Sequence, residues 1–268
     1  MKELVFVGLG LHNEKGISVN GIEEIKTADA VYAELYTSPM PYLTVVNLEK
    51  MIKRKISVLS RKDLEDESEK TLIESTKRGK TVFLVPGDPL IATTHVALRI
   101  EAEKLGIKTR IVHGASILSA VIGLSGLHNY KCGKSVTIPF TEEYGGISET
   151  PYNVVAQNKS LGLHTLCLLD VKAEEKRSMT IREGLKMLLE VEERRKQRVA
   201  TPETLTVGVA RAGSKNPKVK ADFLKDLSNH DFGGPPHSIV FPGRLHFMEA
   251  EALVILARAP EKVRETAK

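Results

Sequence analysis

The sequence is poor in cysteine, in aromatic residues and in long apolar runs, and each shortage removes a class of protein. Its 268 residues include two cysteines, Cys132 and Cys167, far apart and without CxxC or Cys/His spacing. Each suits a small buried hydrophobe in a reduced compartment better than a metal ligand. The longest uncharged run, Ile111 to Tyr130, is interrupted by His113, Gly114 and Ser116 near its start and by Gly126, His128 and Asn129 near its end, so no spanning helix is expected. The first residues lead straight into a strand with no signal-peptide pattern. A soluble, cytoplasmic chain without membrane association is expected. The eight histidines form neither HExxH nor a paired Cys/His pattern, so no metal site is expected. Gly133-Lys134-Ser135 has His128 where a P-loop needs its first glycine. Gly123-Leu124-Ser125-Gly126 lacks the spacing of a nucleophile elbow.

The chain is 41% hydrophobic and 27% charged, enough for a proper core. Its net charge of +5 is mild for this length and suits an anionic partner without implying nucleic acid. The one basic cluster, Arg194 to Arg198, ends a candidate helix over Thr180–Arg198, where it complements the helix dipole. Aromatic or base-reading partners for it are missing. No direct nucleic-acid contact is expected.

The stretch that organises the chain is TVFLVPGDPLIATTH, Thr81 to His95. Val82 to Val85 reads as a buried strand, Pro86-Gly87 breaks it, and Thr93 stands as N-cap of a helix through Val96, Leu98, Ile100 and Leu105. His95, at the helix start, reads as a structural or capping residue. A loop at the carboxyl end of a strand is where open α/β sheets bind ligands. Asp88 is either a ligand-binding carboxylate or a turn residue. Around this stretch the first half alternates β, loop and α: strands Glu3–Val7, Ala30–Leu35, Ile56–Leu59 and Thr109–Val112, and helices after Ser18, over Leu43–Ile52 and over Ser68–Arg78. That pattern predicts a mostly parallel sheet flanked by helices. Ser116 is placed as the cap of a small-residue helix to Leu124. Gly10 is read as a point where backbone approaches a ligand. The second half offers strands Ser135–Ile138, Thr165–Leu169, Thr206–Ala210, Ser238–Phe241 and Leu253–Ala257, with residues 141–150 as a loop. The domain boundary is placed at His113, giving domains 1–113 and 114–268.

Five turns sit at or beside strand ends: Gly8-Leu9-Gly10-Leu11, Pro86 to Leu90, Leu168-Leu169-Asp170, Ala210 to Gly213 and Pro235-Pro236-His237. Together they suggest a ligand gripped mostly through backbone groups. VFVGLGL (Val5–Leu11), AELYTS (Ala33–Ser38), PGDPLIATTH (Pro86–His95), HGASILSAVIGLSGLHNYKCGKS (His113–Ser135), LLDVKAE (Leu168–Glu174), ARAGS (Ala210–Ser214) and GGPPHSIVFPG (Gly233–Gly243) occur in an order that resembles the diphthine synthase family of the tetrapyrrole methylase superfamily. The resemblance implies two α/β domains of the tetrapyrrole methylase type with S-adenosylmethionine in the cleft between them, and a homodimer. It implies methylation of the amino group on the modified histidine precursor of elongation factor 2, a step in diphthamide biosynthesis. It places cofactor contacts at Leu11, Asp88, Ile91, Ser116, Ile117, Leu169, Ala212 and His237, and assigns no catalytic residue. Cobalamin and sirohaem methylases typically carry Gly-Pro-Gly-Asp after the first strand. Gly8-Leu9-Gly10-Leu11-His12 lacks that proline and aspartate, which favours the protein-modifying branch over a methylase acting on a tetrapyrrole precursor. A nucleotide-binding module and a dimeric scaffold without cofactor are the remaining alternatives.

Overall fold

The computed structural model describes residues 2–65, 69–143 and 145–267. It divides into two compact α/β units. One holds the chain up to Ile117 together with Val171–Lys176; the other holds Leu118–Asp170 and the chain from Arg177 onward.

In the first unit, β1 (Glu3–Gly8), β2 (Ala30–Glu34), β3 (Ser57–Leu59), β4 (Lys80–Val85) and β5 (Lys108–Val112) form a sheet in the order β3-β2-β4-β1-β5. Every pairing in it is parallel. A parallel sheet needs both faces covered, and the alternation of side chains along each strand supplies two apolar faces. Val5, Val7, Val82 and Leu84 pack with Ile25, Leu48 and Ile52 of α1 (Val19–Lys26) and α2 (Val45–Ile52). Leu4, Phe6, Phe83 and Val85 pack with Leu72, Ile73, Leu98 and Ala102 on the other side.

The caps follow the chemistry of short polar side chains. Ser18 accepts from the Gly21 N–H at 3.1 Å, and Thr44 accepts from the Asn47 N–H at 3.2 Å, so the second helix starts two residues later than expected. Thr93 is not a cap. α3 (Arg61–Glu65) and α4 (Glu74–Arg78) precede α5 (Val96–Lys104), whose N-cap position is His95 without a side-chain capping bond. The Thr93 hydroxyl instead donates to the Pro89 carbonyl at 3.0 Å and tightens the loop before the helix. Of the helix expected over Ser68–Arg78, Ser68 lies outside the described residues and Glu69–Ile73 forms a π-helical turn leading into α4.

The second unit opens with α6 (Ile117–Ser125). It contains β6 (Val136–Ile138), α7 (Thr150–Ser160) and β7 (Thr165–Leu169). After the two-residue strands β8 (Val171–Lys172) and β9 (Arg177–Ser178) come α8 (Ile181–Arg195), β10 (Leu205–Ala210), β11 (Lys218–Phe223), α9 (Leu224–Leu227), β12 (His237–Phe241) and α10 (Phe247–Ala257). The sheet order is β11-β10-β12-β7-β6, antiparallel throughout except for β6 with β7. α8 is held by the capping box of Thr180 and Glu183 and carries Ile181, Leu185, Leu188 and Val191 into the core with Tyr152, Ile239 and Phe241. Its basic end is exposed, with Arg195 paired to Glu149 at 3.0 Å.

Two expectations fail here, and one strand was not anticipated. Leu253–Ala257 is the last part of α10 rather than a strand: a short apolar run fits either state, and the capping box of His246 and Glu249 starts a helix that buries Leu253, Val254 and Ala257. Lys218–Phe223 is an unanticipated edge strand whose lysines mask its β pattern. Residues 141–150 are not all loop, because Thr141–Glu143 makes a 3-10 turn and Thr150 opens α7; Tyr144 lies outside the described residues. Cys167 is buried, and burial pushes its thiol up to about 12, whereas Cys132 is only half-buried.

Candidate functional site

In the first unit three neighbouring strands, β4, β1 and β5, end in contact with one another. The Leu9 N–H donates to the Val85 carbonyl at 2.8 Å, and Gly10 and Gly87 exchange two bonds of 3.1 and 2.8 Å, so pairing continues past the strand ends. A Cβ added at Gly8 would lie 2.5 Å from the Gly87 carbonyl oxygen and 2.6 Å from the Gly114 nitrogen; one added at Gly114 would lie 2.3 Å from the same oxygen. Only glycine permits backbones to approach this closely. Gly10 has a reason to be glycine within the chain itself. Its φ is 69° and a Cβ would meet the Gly16 carbonyl oxygen at 2.5 Å, so the chain itself demands it. Gly87 also has φ 69°, but a Cβ there would meet nothing nearer than the Ala115 carbonyl oxygen at 4.0 Å, so it faces open space.

Asp88 stands beside this glycine cluster, only 6% exposed. One carboxylate oxygen accepts from the Leu90 N–H at 3.2 Å, which is the turn-forming role of an aspartate. The other lies 2.7 Å from Nδ1 of His113, whose side chain is 75% exposed. The sequence offers a turn residue or a charged contact; the carboxylate makes both kinds of bond. Leu11 follows β1, Ile91 and an Ala92 held at φ 56° follow β4, and Ser116 and Ile117 follow β5. All five first-unit contacts implied by the resemblance therefore sit beyond the carboxyl ends of three adjacent strands.

The second unit gathers the other three on one edge of its own sheet. Leu169 ends β7, Ala212 follows β10, and His237 opens β12, with Ala210 opposite His237 and Leu168 opposite Ser238. Side chains shape this edge. The Arg211 guanidinium donates to the Phe232 and Gly234 carbonyls at 2.7 and 2.5 Å. Nδ1 of His237 accepts from the Ile181 N–H at 3.3 Å, which leaves Nε2–H to donate to the Gly234 carbonyl at 3.1 Å. Burial outweighs the Gly234 bond and lowers the His237 pKa, so the neutral ring persists. Asp170 accepts from the Phe140 N–H at 2.9 Å.

Residues 3–228 match the model of the tetrapyrrole (corrin/porphyrin) methylases. The chain is 49% identical to the diphthine synthase of Methanosarcina mazei over 98% of both proteins, and 50% identical to that of Methanocella arvoryzae over 95% of this chain and 98% of the relative. A crystal structure of a diphthine synthase superposes with a TM-score of 0.89 at 43% identity, covering 99% of this chain and 100% of that one. A putative diphthine synthase from Entamoeba histolytica gives 0.84 at 33% identity, covering 97% and 99%. The chain belongs to the diphthine synthase family of the tetrapyrrole methylases. It is an S-adenosylmethionine-dependent methyltransferase of diphthamide biosynthesis.

The residues present suit the cofactor of a diphthine synthase. Gly87 leaves an open cradle against backbone, and the neighbouring Asp88 carboxylate offers an acceptor for a hydroxyl or ammonium group. Among the described residues no cluster of three or more His, Cys, Asp or Glu could hold a metal ion. Nor is any described helix long and apolar enough to cross a membrane.

One feature of this edge was missed from sequence. Glu34, the last residue of β2, is 0% exposed and touches His95 across 61 residues of chain, with Nε2 to Oε1 at 3.3 Å. Both residues lie within family segments, AELYTS and PGDPLIATTH, yet nothing local in either segment signals a partner.

Proposed function

We propose that this chain methylates the amino group of the modified histidine precursor in elongation factor 2, as a cytoplasmic homodimer. Leu11, Asp88, Ile91, Ser116, Ile117, Leu169, Ala212 and His237 are the residues proposed to contact S-adenosylmethionine. The observation that carries this reading is the meeting of three glycine-lined strand exits around the buried Asp88 carboxylate, in a chain of this family. Bound S-adenosylmethionine supplies an electrophilic methyl group on a sulfonium. The protein's task is to position a neutral amine, because alignment at near-attack distance can remove much of the barrier. Asp88 orients the donor through a charge-assisted hydrogen bond. The glycines admit it close to the backbone, and no strong base is required of the chain.

The test is transfer of labelled methyl to elongation factor 2 carrying the unmethylated precursor. Label in the factor is the expected result. Cofactor binding without transfer would overturn the substrate assigned here. Cofactor binding itself is read as a rise in thermal stability, following RT ln(1 + [L]/Kd).

A further inference from the structure

Glu34 is a carboxylate sealed away from water at the exit of β2. Burying an ionised group costs several kcal/mol unless each lone pair is met, and here each oxygen has partners. Oε2 accepts the N–H groups of Tyr36 and Thr37 at 2.9 and 3.0 Å. Oε1 accepts the Thr37 hydroxyl and faces Nε2 of His95. The His95 ring is buried in turn, edge-on to Phe83 with centroids 5.1 Å apart.

An ordinary turn needs none of this, since an exposed Asp, Asn or Ser serves it locally. What the arrangement adds is a tie between two loops. β2 and β4 are neighbours, with Ala33 opposite Leu84, so the segment after β2 and the loop from Pro86 to His95 leave the same edge of the sheet side by side. The second of these loops carries Asp88 and Ile91. Through Glu34 and His95, the end of that loop is bonded to the first turn of the segment Tyr36–Ser38.

We propose that Glu34, Thr37 and His95 are positioning residues for methyl transfer: they fix Tyr36–Ser38 beside the donor-binding loop as part of the surface that receives the amine. This rests on the substrate assigned above. None of the three need touch the reacting atoms. Their effect should therefore appear in turnover of the acceptor while the donor remains bound.

The experiment uses the full chain with Glu34→Gln, Thr37→Val and Thr37→Ser, reading cofactor Kd by calorimetry and single-turnover methylation of the elongation factor 2 precursor at saturating cofactor. Glu34→Gln and Thr37→Val should bind S-adenosylmethionine within about threefold of wild type, while methylation slows by roughly ten- to a hundredfold, the scale of a displaced reactant. Thr37→Ser, which keeps the hydroxyl, should recover most of the rate. If Glu34→Gln does not fold, the two Thr37 variants decide the matter. Cofactor affinity falling in step with rate, or Thr37→Val turning over like wild type, would overturn the positioning role. A wild type that binds cofactor but leaves the factor unlabelled would instead overturn the substrate, and this inference with it.

Discussion

The two units finish their strands by opposite means. In the first, the exits of β4, β1 and β5 are built from backbone against backbone, and a single methyl group at Gly8 or Gly114 would collide with main-chain atoms. In the second, the exit of β10 and the entry of β12 are held by side chains reaching to loop carbonyls, with Arg211 and His237 closing on Gly234. Glu34 is the exception in the first unit, at the exit of β2. The difference reflects the sheets. Parallel strands side by side send all their connections out at one edge, where room is scarce, whereas an antiparallel sheet alternates its exits and leaves width for side chains. The first edge should break when atoms are added, and the second unit when charge or hydrogen bonds are removed.

The largest effect is expected from adding an atom. Gly8→Ala puts a Cβ 2.5 Å from the Gly87 oxygen and 2.6 Å from the Gly114 nitrogen, and neither backbone can turn aside as a side chain could. Overpacking typically costs about 1–3 kcal/mol and occasionally more, and the upper end is expected where no neighbour can yield. Denaturant unfolding should show a large loss of stability, or no folded protein, and cofactor binding should be lost with it. A variant as stable as wild type would mean that these strand exits are looser than the geometry states.

The next effect belongs to the second unit and is read with pH. Glu249 is fully buried on α10. Burial alone would raise its pKa, but it accepts from the His246 and His128 N–H groups at 2.8 Å each, from Lys131 and from His164, and together these hold it at about 2. His164 is fully enclosed as well, and burial lowers its pKa against the pull of Glu249. The unfolded chain therefore binds more protons than the folded one below neutrality, and stability must decline as pH is lowered. The Glu249 contribution, on the order of 3 kcal/mol from the drop below its ordinary 4.5, is fully present above about pH 4.5 and lost as pH falls toward 2. Unfolding free energies measured across that range should decline steeply in wild type and more gently in Glu249→Gln, which begins from lower stability at neutral pH. Parallel curves would remove Glu249 from the account.

How far these features could be read in the sequence depended on whether their causes were local. The strand exits were legible because each carries its own turn chemistry, as Pro86-Gly87-Asp88 does after a β-branched run. Ser18 was legible as a cap for the same reason. Leu253–Ala257 was misread because LVILA alone fits a strand or a buried helix, and the capping residue His246 lies seven positions upstream. Lys218–Phe223 was passed over because an edge strand that carries lysines has little apolar pattern to show. Gly10 shows a subtler case: its residue type was informative, but the Gly16 backbone that demands it lies six residues on and could not be read from the turn itself. The Glu34–His95 contact was invisible, since it depends on β2 and β4 lying side by side.

Asp88→Asn separates the two bonds of that carboxylate. The amide oxygen can still accept from Leu90 and keep the turn, so stability should change by less than ~1 kcal/mol. What is lost is the charge, toward His113 at 2.7 Å and toward the cofactor proposed beside it. A charge-assisted bond of roughly 1.5–3 kcal/mol corresponds to about ten- to a hundredfold in cofactor Kd. The rate at saturating cofactor should fall less, because the carboxylate positions the donor and takes no proton. Calorimetric titration with single-turnover rates reads both. Wild-type affinity with lost turnover would make Asp88 a base and overturn this assignment.

The smallest expected effect on the fold is the most telling about the site. Gly87 has the same backbone conformation as Gly10, φ 69°, but a Cβ there meets no protein atom nearer than 4.0 Å. Gly87→Ala therefore carries only the conformational cost of a left-handed non-glycine residue, about 1 kcal/mol, against the much larger loss expected at Gly8 on the same edge. If the open space beside Gly87 is where the donor lies against the backbone, the added methyl group occupies it, and cofactor affinity should drop severalfold or more in a protein that still unfolds cooperatively. The Gly8 and Gly87 variants, compared by calorimetric unfolding and cofactor titration, then divide the glycine cluster into the part that the fold requires and the part that the ligand requires. Undiminished affinity in Gly87→Ala would place the cofactor elsewhere on the edge, and Asp88 would have to reach it without the glycine's help.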